Sequence, residues 1–446
     1  MKKIIEAHKM VLNILGKAKG KNSGYRMMKY CISKETEDGV LVFNVMTREL
    51  LLLTEEEYEN RLESDYLKER WFVVPEDINE KEYVELVRWA CRGVQKKSEN
   101  ITNYTILTTT DCNARCFYCY EKGYKKYPMN EETACKTAEF IKANCGGKKV
   151  HISWFGGEPL YNPEAIDIIC GQLQDAGVNY QSSMVSNGYL FDDQMVEKAV
   201  YHWKVQSVQI TLDGTEDIYN RSKAFIYREG SAYKIVLSNI QRLLNAGISV
   251  VIRMNMDLKN AEDLLNLTEE LAERFREKRK PKVYAHLIFS DEKMWTETYT
   301  EEELVKLYDI LEQLEEKFAV YGFSAEGKKG LRHELKLKHC MADSGKSLVI
   351  TPDGHLGLCE HFAESELIGH IASPGRDKMM IESWKQWKDE LPECGECFYY
   401  PECVRLKKCT GRGECFDLER SRIRKRTEKA MRNELLYWKI RQSRSK

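Results

Sequence analysis

No apolar run in the 446 residues approaches the roughly 20 needed to cross a bilayer, so a membrane-spanning role is not expected. The first residues, Met1 to Lys9, contain no apolar stretch before their next charges and do not read as a secretory signal. A dominant charge is missing too. The 69 Lys and Arg offset 70 Asp and Glu, which removes the broad positive field that a nucleic-acid partner would call for. Nor is there an internal repeat or a low-complexity stretch. These absences leave a cytoplasmic globular protein, without membrane or nucleic acid as partner, long enough for two or three domains. One local imbalance stands out: Asp417 to Lys446 holds eleven Lys and Arg against four Asp and Glu. It reads as an amphipathic terminal helix or a docking face for an acidic partner.

Cysteine is what the chain has in excess. Fifteen thiols without an export signal argue against a disulfide framework, because the cytosol keeps thiols reduced. Cys31, Cys91, Cys135, Cys145 and Cys170 are scattered and fit small core positions. Three others fall within residues 112–119 and seven within 340–415, and that clustering asks for metal.

Between these clusters the pattern alternates strand and helix. Apolar, β-branched runs at Tyr104–Thr110, Val150–Phe155, Gln181–Val185, Ser207–Leu212, Ser249–Asn255 and Val283–Phe289 are separated by helical periodicity, ending in Glu302–Tyr321. Six βα units of this kind predict a parallel sheet with right-handed crossovers, open or curled into a partial (βα)6 TIM barrel. Reactive groups in such folds sit at the C-terminal ends of the strands. Cys112 follows the first strand, Gly156-Gly157-Glu158-Pro159 the second, Ser186-Asn187 the third and Asp213-Gly214 the fourth.

Cys112, Cys116 and Cys119 are spaced C-x3-C-x2-C, which can wrap three irons of a [4Fe–4S] cubane and leave the fourth open to a ligand. Zinc is the competing metal, but a structural zinc site wants four ligands, commonly as two separated pairs. This spacing, with Tyr118 before the last cysteine and a strand before the first, resembles the radical S-adenosylmethionine superfamily. The resemblance implies that the open iron is chelated by S-adenosylmethionine, whose reductive cleavage starts hydrogen abstraction. It also makes Gly156, Gly157, Glu158 and Pro159 the motif that holds the methionine amino group. Ser186 and Asn187 become cofactor contacts, unless they only shape a polar turn. Arg253 and Asn255 alternate on strand five and should point the same way, where Arg253 would meet the cofactor carboxylate or a structural anion. Asp213 would bind ribose or substrate, or cap its turn.

Downstream, Cys340, Gly354 and Cys359 give C-x13-G-x4-C, followed by Cys394, Cys397, Cys403, Cys409 and Cys415. This resembles the SPASM extension of the same superfamily, although five residues rather than three precede Cys409 and the gap to Cys415 is short. The resemblance implies two auxiliary [4Fe–4S] clusters, three in all. Cys340, Cys359 and Cys409 would hold the first, and Cys394, Cys397, Cys403 and Cys415 the second. Seven thiolates fall one short of eight, with His339, His355 and His361 nearby; zinc-ribbon pairing is the alternative.

The expected organisation is a recognition module over 1–100, the radical core over 101–330, an auxiliary-cluster domain over 335–420 and a basic helix over 421–446. The first module, with a hairpin at Val40–Asn44 and Glu49–Leu53 and a capping signature from Thr54, resembles the PqqD-like winged-helix domain of peptide maturases. That implies a ribosomal precursor peptide held by its leader through edge-strand pairing. The expected reaction is a thioether or carbon–carbon crosslink, as in sactipeptide and ranthipeptide maturases, fed by a low-potential flavodoxin or ferredoxin. An anaerobic sulfatase-maturing enzyme fits the same cysteines, and Glu360 after Cys359 matches the acidic base of that group or is a surface carboxylate. A non-catalytic, metal-bearing peptide adaptor is the reading from another class.

Overall fold

Six strands form the sheet that the alternation predicted: β1 (Asn103–Thr109), β2 (Val150–Gly156), β3 (Tyr180–Ser186), β4 (Val205–Thr211), β5 (Ser249–Met256) and β6 (Lys282–Leu287). The computed structural model describes residues 1–17, 24–94, 100–227, 229–276, 279–288, 295–323, 330–337, 340–362, 364–373, 375–409 and 415–444. Neighbouring strands from β1 to β6 are parallel and lie in sequence order, and among the described residues β6 ends the row. One lateral row explains their cohesion. Ile106, Trp154, Met184, Val208 and Val250 stand in register on successive strands, and each is at most 1% exposed.

Each strand returns through helix: α1 (Glu131–Asn144), α2 (Pro163–Asp175), α3 (Asp193–Tyr201), α4 (Glu216–Lys223), α5 (Ala232–Asn245), α6 (Ala261–Arg274) and α7 (Glu301–Val320). Local chemistry sets their starts. Asn130 accepts from the Thr133 N–H and Asp192 from the Met195 N–H, while Thr300 and Glu303 complete a capping box. Leu304, Leu307, Ile310, Leu311 and Leu314 all face inward from α7, as their spacing requires. Among the described residues no helix is long and apolar enough to cross a membrane.

One extension of the sheet was not foreseen. A strand β7 (Ser347–Ile350) from the cysteine-rich region pairs in parallel with β1, placing Ile350 opposite Ile106. It continues as an antiparallel meander through β8 (His355–Gly357) and β9 (Gly369–His370). The second cysteine region is thereby hydrogen-bonded to the strand that ends at Cys112.

The N-terminal residues build a separate antiparallel sheet in the order Lys2–Ile5, Leu50–Leu53, Gly39–Asn44, Cys31–Thr36. The expected hairpin is present, and Thr54 caps Glu55–Glu59 with the expected box. The first strand was unmarked in the sequence, and it occupies the Leu50–Leu53 edge. Val84 and Val87 of the helix Glu80–Val94 pack with Leu335, Leu337 and Tyr400. Ile4, Ile5 and Phe43 pack with Phe398, Met431 and Leu435, the last two on α8 (Asp417–Arg444).

Arg48 pins this contact. It sits in the hairpin turn at φ 64°, is 2% exposed, and pairs with Glu402 at 2.8 Å while donating to the Arg332 carbonyl at 2.9 Å. Removing one partner of a buried pair strands the other charge. Arg48→Met should therefore lower unfolding stability by about 3 kcal/mol in urea titration, with the first transition in the N-terminal module.

Candidate functional site

The backbones that leave β1 and β2 nearly touch. The Gly157 N–H donates to the Thr109 carbonyl at 3.0 Å, and the Glu158 N–H to the Asp111 carbonyl at 3.0 Å. A Cβ at Gly156, where φ is +116°, would lie 2.1 Å from the Thr109 oxygen, and one at Gly157 would lie 2.2 Å from the Asp111 oxygen. The loop that carries the first three cysteines is thus set directly by the two glycines.

Cys112, Cys116 and Cys119 all line one cavity of about 220 Å³, together with Tyr118, Glu121, Gly156, Gly157, Ser186, Asn187 and Lys223. Among the described residues no three His, Cys, Asp or Glu side chains converge tightly enough for a single metal ion. Burial pushes the Cys112 thiol up to about 12, helped by the charge of Glu158, and the Cys119 thiol up to about 11. Burial also raises Cys116, against the opposing charge of Lys223. Three adjacent thiolates are unfavourable here unless a cationic core binds them. The Ala114 N–H already points at the Cys112 sulfur, 3.3 Å away, a donor arrangement that suits a ligating thiolate.

Four of the expected residues serve the wall rather than the cavity surface. The Glu158 carboxylate, fully buried, accepts from Ser186 Oγ at 2.8 Å, the Asn187 N–H at 2.8 Å and the Leu160 N–H at 3.2 Å. It is turned towards the end of β3, where Ser186 and Asn187 hold it. Pro159 opens the short helical turn behind it and is buried. Asp213 is 1% exposed and accepts from the Asn255 N–H at 2.9 Å, from the Tyr118 hydroxyl and from Lys223 at 2.7 Å. The Asn255 side chain lies beside the Tyr118 hydroxyl. Arg253 is half-buried, with Nε meeting no partner among the described residues and no place on the cavity wall.

Lys223 is the residue that sequence reasoning missed. It ends α4 with no motif around it, yet it is 1% exposed. Its ammonium donates to Tyr118 and to Thr211 at 2.6 Å, and its carbonyl accepts from the Arg115 N–H at 2.9 Å. Burial opposes its charge, but Asp213 and the Cys116 thiol outweigh burial and hold the ammonium above its usual range. A Lys so deep beside three cysteines places a fixed cation under the loop.

The downstream cysteines fall into two sets. Burial raises the thiols of Cys340 and Cys359; Cys409 adds to both and Cys340 to that of Cys359, and the Ala342 N–H points at Cys340 Sγ from 3.4 Å. Cys397 feels Cys415 and Cys394, and Cys403 feels Cys415 and Cys397. The Leu391 N–H approaches Cys394 Sγ at 3.3 Å, and Arg420 approaches Cys415 Sγ at 3.5 Å. His339 lies outside the described residues. Glu360 follows Cys359 in a short helical turn, and its Oε2 is buried with no partner among the described residues.

Two measurements check this geometry. Gly157→Ala must push the Asp111 carbonyl aside and should lose about 2 kcal/mol in denaturant melts of the metal-free protein. Burial raises the Glu158 carboxyl from 4.5 to about 7. A carboxyl that binds its proton more tightly in the fold contributes stability below its unfolded value and loses it as pH rises through the folded one. Between pH 5 and 8 the metal-free parent should therefore lose thermal stability relative to Glu158→Gln, which has no proton to release there.

Residues 106–271 match the model of the radical SAM superfamily. The sporulation killing factor maturation protein SkfB of Bacillus subtilis is 27% identical over 171 residues, covering 38% of this chain and 39% of SkfB. A probable GTP 3',8-cyclase of Archaeoglobus fulgidus is 30% identical over 158 residues, covering 35% and 49%. The chain thus spans half or less of the length of these relatives. Among solved structures, anSMEcpe with bound AdoMet and Kp18Cys peptide superposes at a TM-score of 0.59 with 14% identity, covering 76% of this chain and 99% of that one. Streptococcus suis SuiB bound to precursor peptide SuiA gives 0.51 with 11% identity, covering 85% and 94%. These likenesses are of fold. With the sequence match over β1 to α6 and the strand order of that fold, the chain carries a radical S-adenosylmethionine domain.

Proposed function

We propose that this chain is a peptide maturase that abstracts a hydrogen from a ribosomal precursor peptide and forms a thioether or carbon–carbon crosslink. The observation that carries the reading is one three-thiol cavity at the strand ends together with seven further cysteines, of which Cys340 and Cys359 flank the strands that extend the same sheet. A cluster with S-adenosylmethionine on its open iron supplies, on one-electron reduction, a hydrogen-abstracting radical.

The chain's residues divide that work. Cys112, Cys116 and Cys119 would hold the reactive cluster, and Gly156 and Gly157 keep their loop in place and let backbone approach the cofactor. Lys223, Ser186 and Asn187 present a cation and polar groups on the cavity wall. Tyr118, clamped between Asp213 and Lys223, fixes the orientation of the loop before Cys119. Cys340, Cys359 and Cys409 would hold one auxiliary cluster and Cys394, Cys397, Cys403 and Cys415 another, with electrons entering from a flavodoxin or ferredoxin.

The N-terminal module supports a leader-bound peptide. Its PqqD-like reading rests on the three-strand meander followed by helices, and Lys2–Ile5 and Cys31–Thr36 are the two edge strands at which a peptide could pair. SkfB is by name a maturation protein, and SuiB and anSMEcpe were solved with peptides. Sulfatase-type oxidation to formylglycine is the second reading, favoured by the position of Glu360 directly after Cys359.

Anaerobic reconstitution tests the class. About twelve irons per chain are expected for three cubanes, with 5′-deoxyadenosine released under dithionite. Replacing Cys112, Cys116 and Cys119 together by Ala should abolish that release and leave roughly eight irons. Zinc in place of iron would reject the proposal in favour of a metal-bearing adaptor, and release that survives the triple replacement would reject the assignment of the reactive cluster to these cysteines.

A further inference from the structure

Between the first cysteine loop and the first auxiliary set lies a wedge of polar groups, and among the described residues several of its oxygens have no well-directed partner. Tyr120 and Glu121 follow Cys119, and Glu360 and His361 follow Cys359. The two segments are packed together: the Tyr120 ring lies 4.1 Å from the His361 ring, and the Tyr124 hydroxyl donates to the His361 carbonyl at 3.1 Å. Both carboxylates act on the Tyr120 hydroxyl electrostatically, so they share its surroundings. The Tyr120 hydroxyl is close enough to act on the Glu121 carboxyl, but it forms no well-directed hydrogen bond there, and among the described residues neither Glu121 oxygen nor Glu360 Oε2 has a partner of good geometry.

Glu121 is 7% exposed and lines the same cavity as the three cysteines. A buried carboxyl with two unused acceptor oxygens destabilises the free protein, and such groups persist where a ligand completes them. The cavity's other charged neighbours are cations: Lys223 in its wall and Arg115, Lys122 and Lys126 around it. Anionic parts of a ligand are already provided for. What is missing is a source of N–H donors on the side that faces the auxiliary set.

We propose that Glu121 is a substrate-binding residue, whose carboxyl oxygens accept hydrogen bonds from the backbone amides of the peptide residue to be modified, with Glu360 facing it across the same seat. The assignment rests on the peptide-maturase reading and deepens it. The reacting residue would be held between the radical-generating cavity and the set formed by Cys340, Cys359 and Cys409. Specificity then falls on the peptide backbone at this point, leaving side-chain selection to other walls.

The test uses reconstituted full-length protein with S-adenosylmethionine and, as probe, N-acetyl-L-cysteine N-methylamide, which carries two amide N–H groups. Saturable binding to the parent is expected by titration NMR. Glu121→Leu should weaken it at least tenfold, and Glu121→Gln, which keeps one acceptor oxygen, should recover part of the loss. The second readout needs no ligand: Glu121→Leu should melt above the parent by several degrees, because an unsatisfied buried group has been removed. A purely structural Glu121 predicts the reverse, a lower melting temperature with unchanged probe affinity, and that result overturns the assignment. So does a parent that shows no saturable binding while releasing 5′-deoxyadenosine. Absence of 5′-deoxyadenosine from the parent is a separate failure, that of the enzyme reading itself.

Discussion

The backbone of Gly157 packs so closely on Asp111 that a single added carbon would sit 2.2 Å from its carbonyl oxygen. From that contact the geometry of the site spreads outward. It places Cys112 at the end of β1 and aligns the turn that sends Glu158 under β3. Glu158 then holds Ser186 and Asn187, and Asn187 reaches back to Asn113 at 2.6 Å, so the ends of three strands are linked in a ring. A side chain at either glycine would disturb every member of this ring, because no flexible group lies between them.

A second set of contacts stiffens the opposite flank. Lys223 and Asp213 are buried and Tyr118 half-buried, and each contacts the other two. Buried charges are tolerated only when paired and hydrogen-bonded, and this triad meets that condition. It joins α4 and the end of β4 to the middle of the cysteine loop. The loop is therefore held from two sides: by backbone contact on the glycine side, by charge on the lysine side.

The strands and most helices were legible because hydrophobic periodicity is a local property, and β1 to β6 follow it within a few residues. The cysteine sets and the Gly-Gly-Glu-Pro turn were legible because spacing alone limits what they can hold. Lys223 was not: it lies in a polar stretch, Tyr219-Asn-Arg-Ser-Lys223, and only tertiary packing buries it. The orientation of Glu158 was hidden for the same reason, since a motif names a residue but not the neighbour that captures its carboxylate. β7 escaped because four residues in a loop-rich segment are too few for a period to declare itself. Glu121 carries no signature at all; its lack of a partner is visible only when its surroundings are assembled.

The pairing of β7 with β1 has a consequence for how the molecule is made. Asn103 leaves the ribosome some 240 residues before its partner Ser347. Until that partner arrives, the outer edge of β1 is an unpaired strand with free N–H and C=O groups beside a loop of reactive thiols. Contacts of such high sequence separation form slowly, and an exposed edge of this kind invites pairing with other chains. Assembly of the metal-binding loop is thus timed by the last third of the polypeptide, and a nascent chain stalled before residue 347 would present the aggregation hazard that the finished sheet conceals.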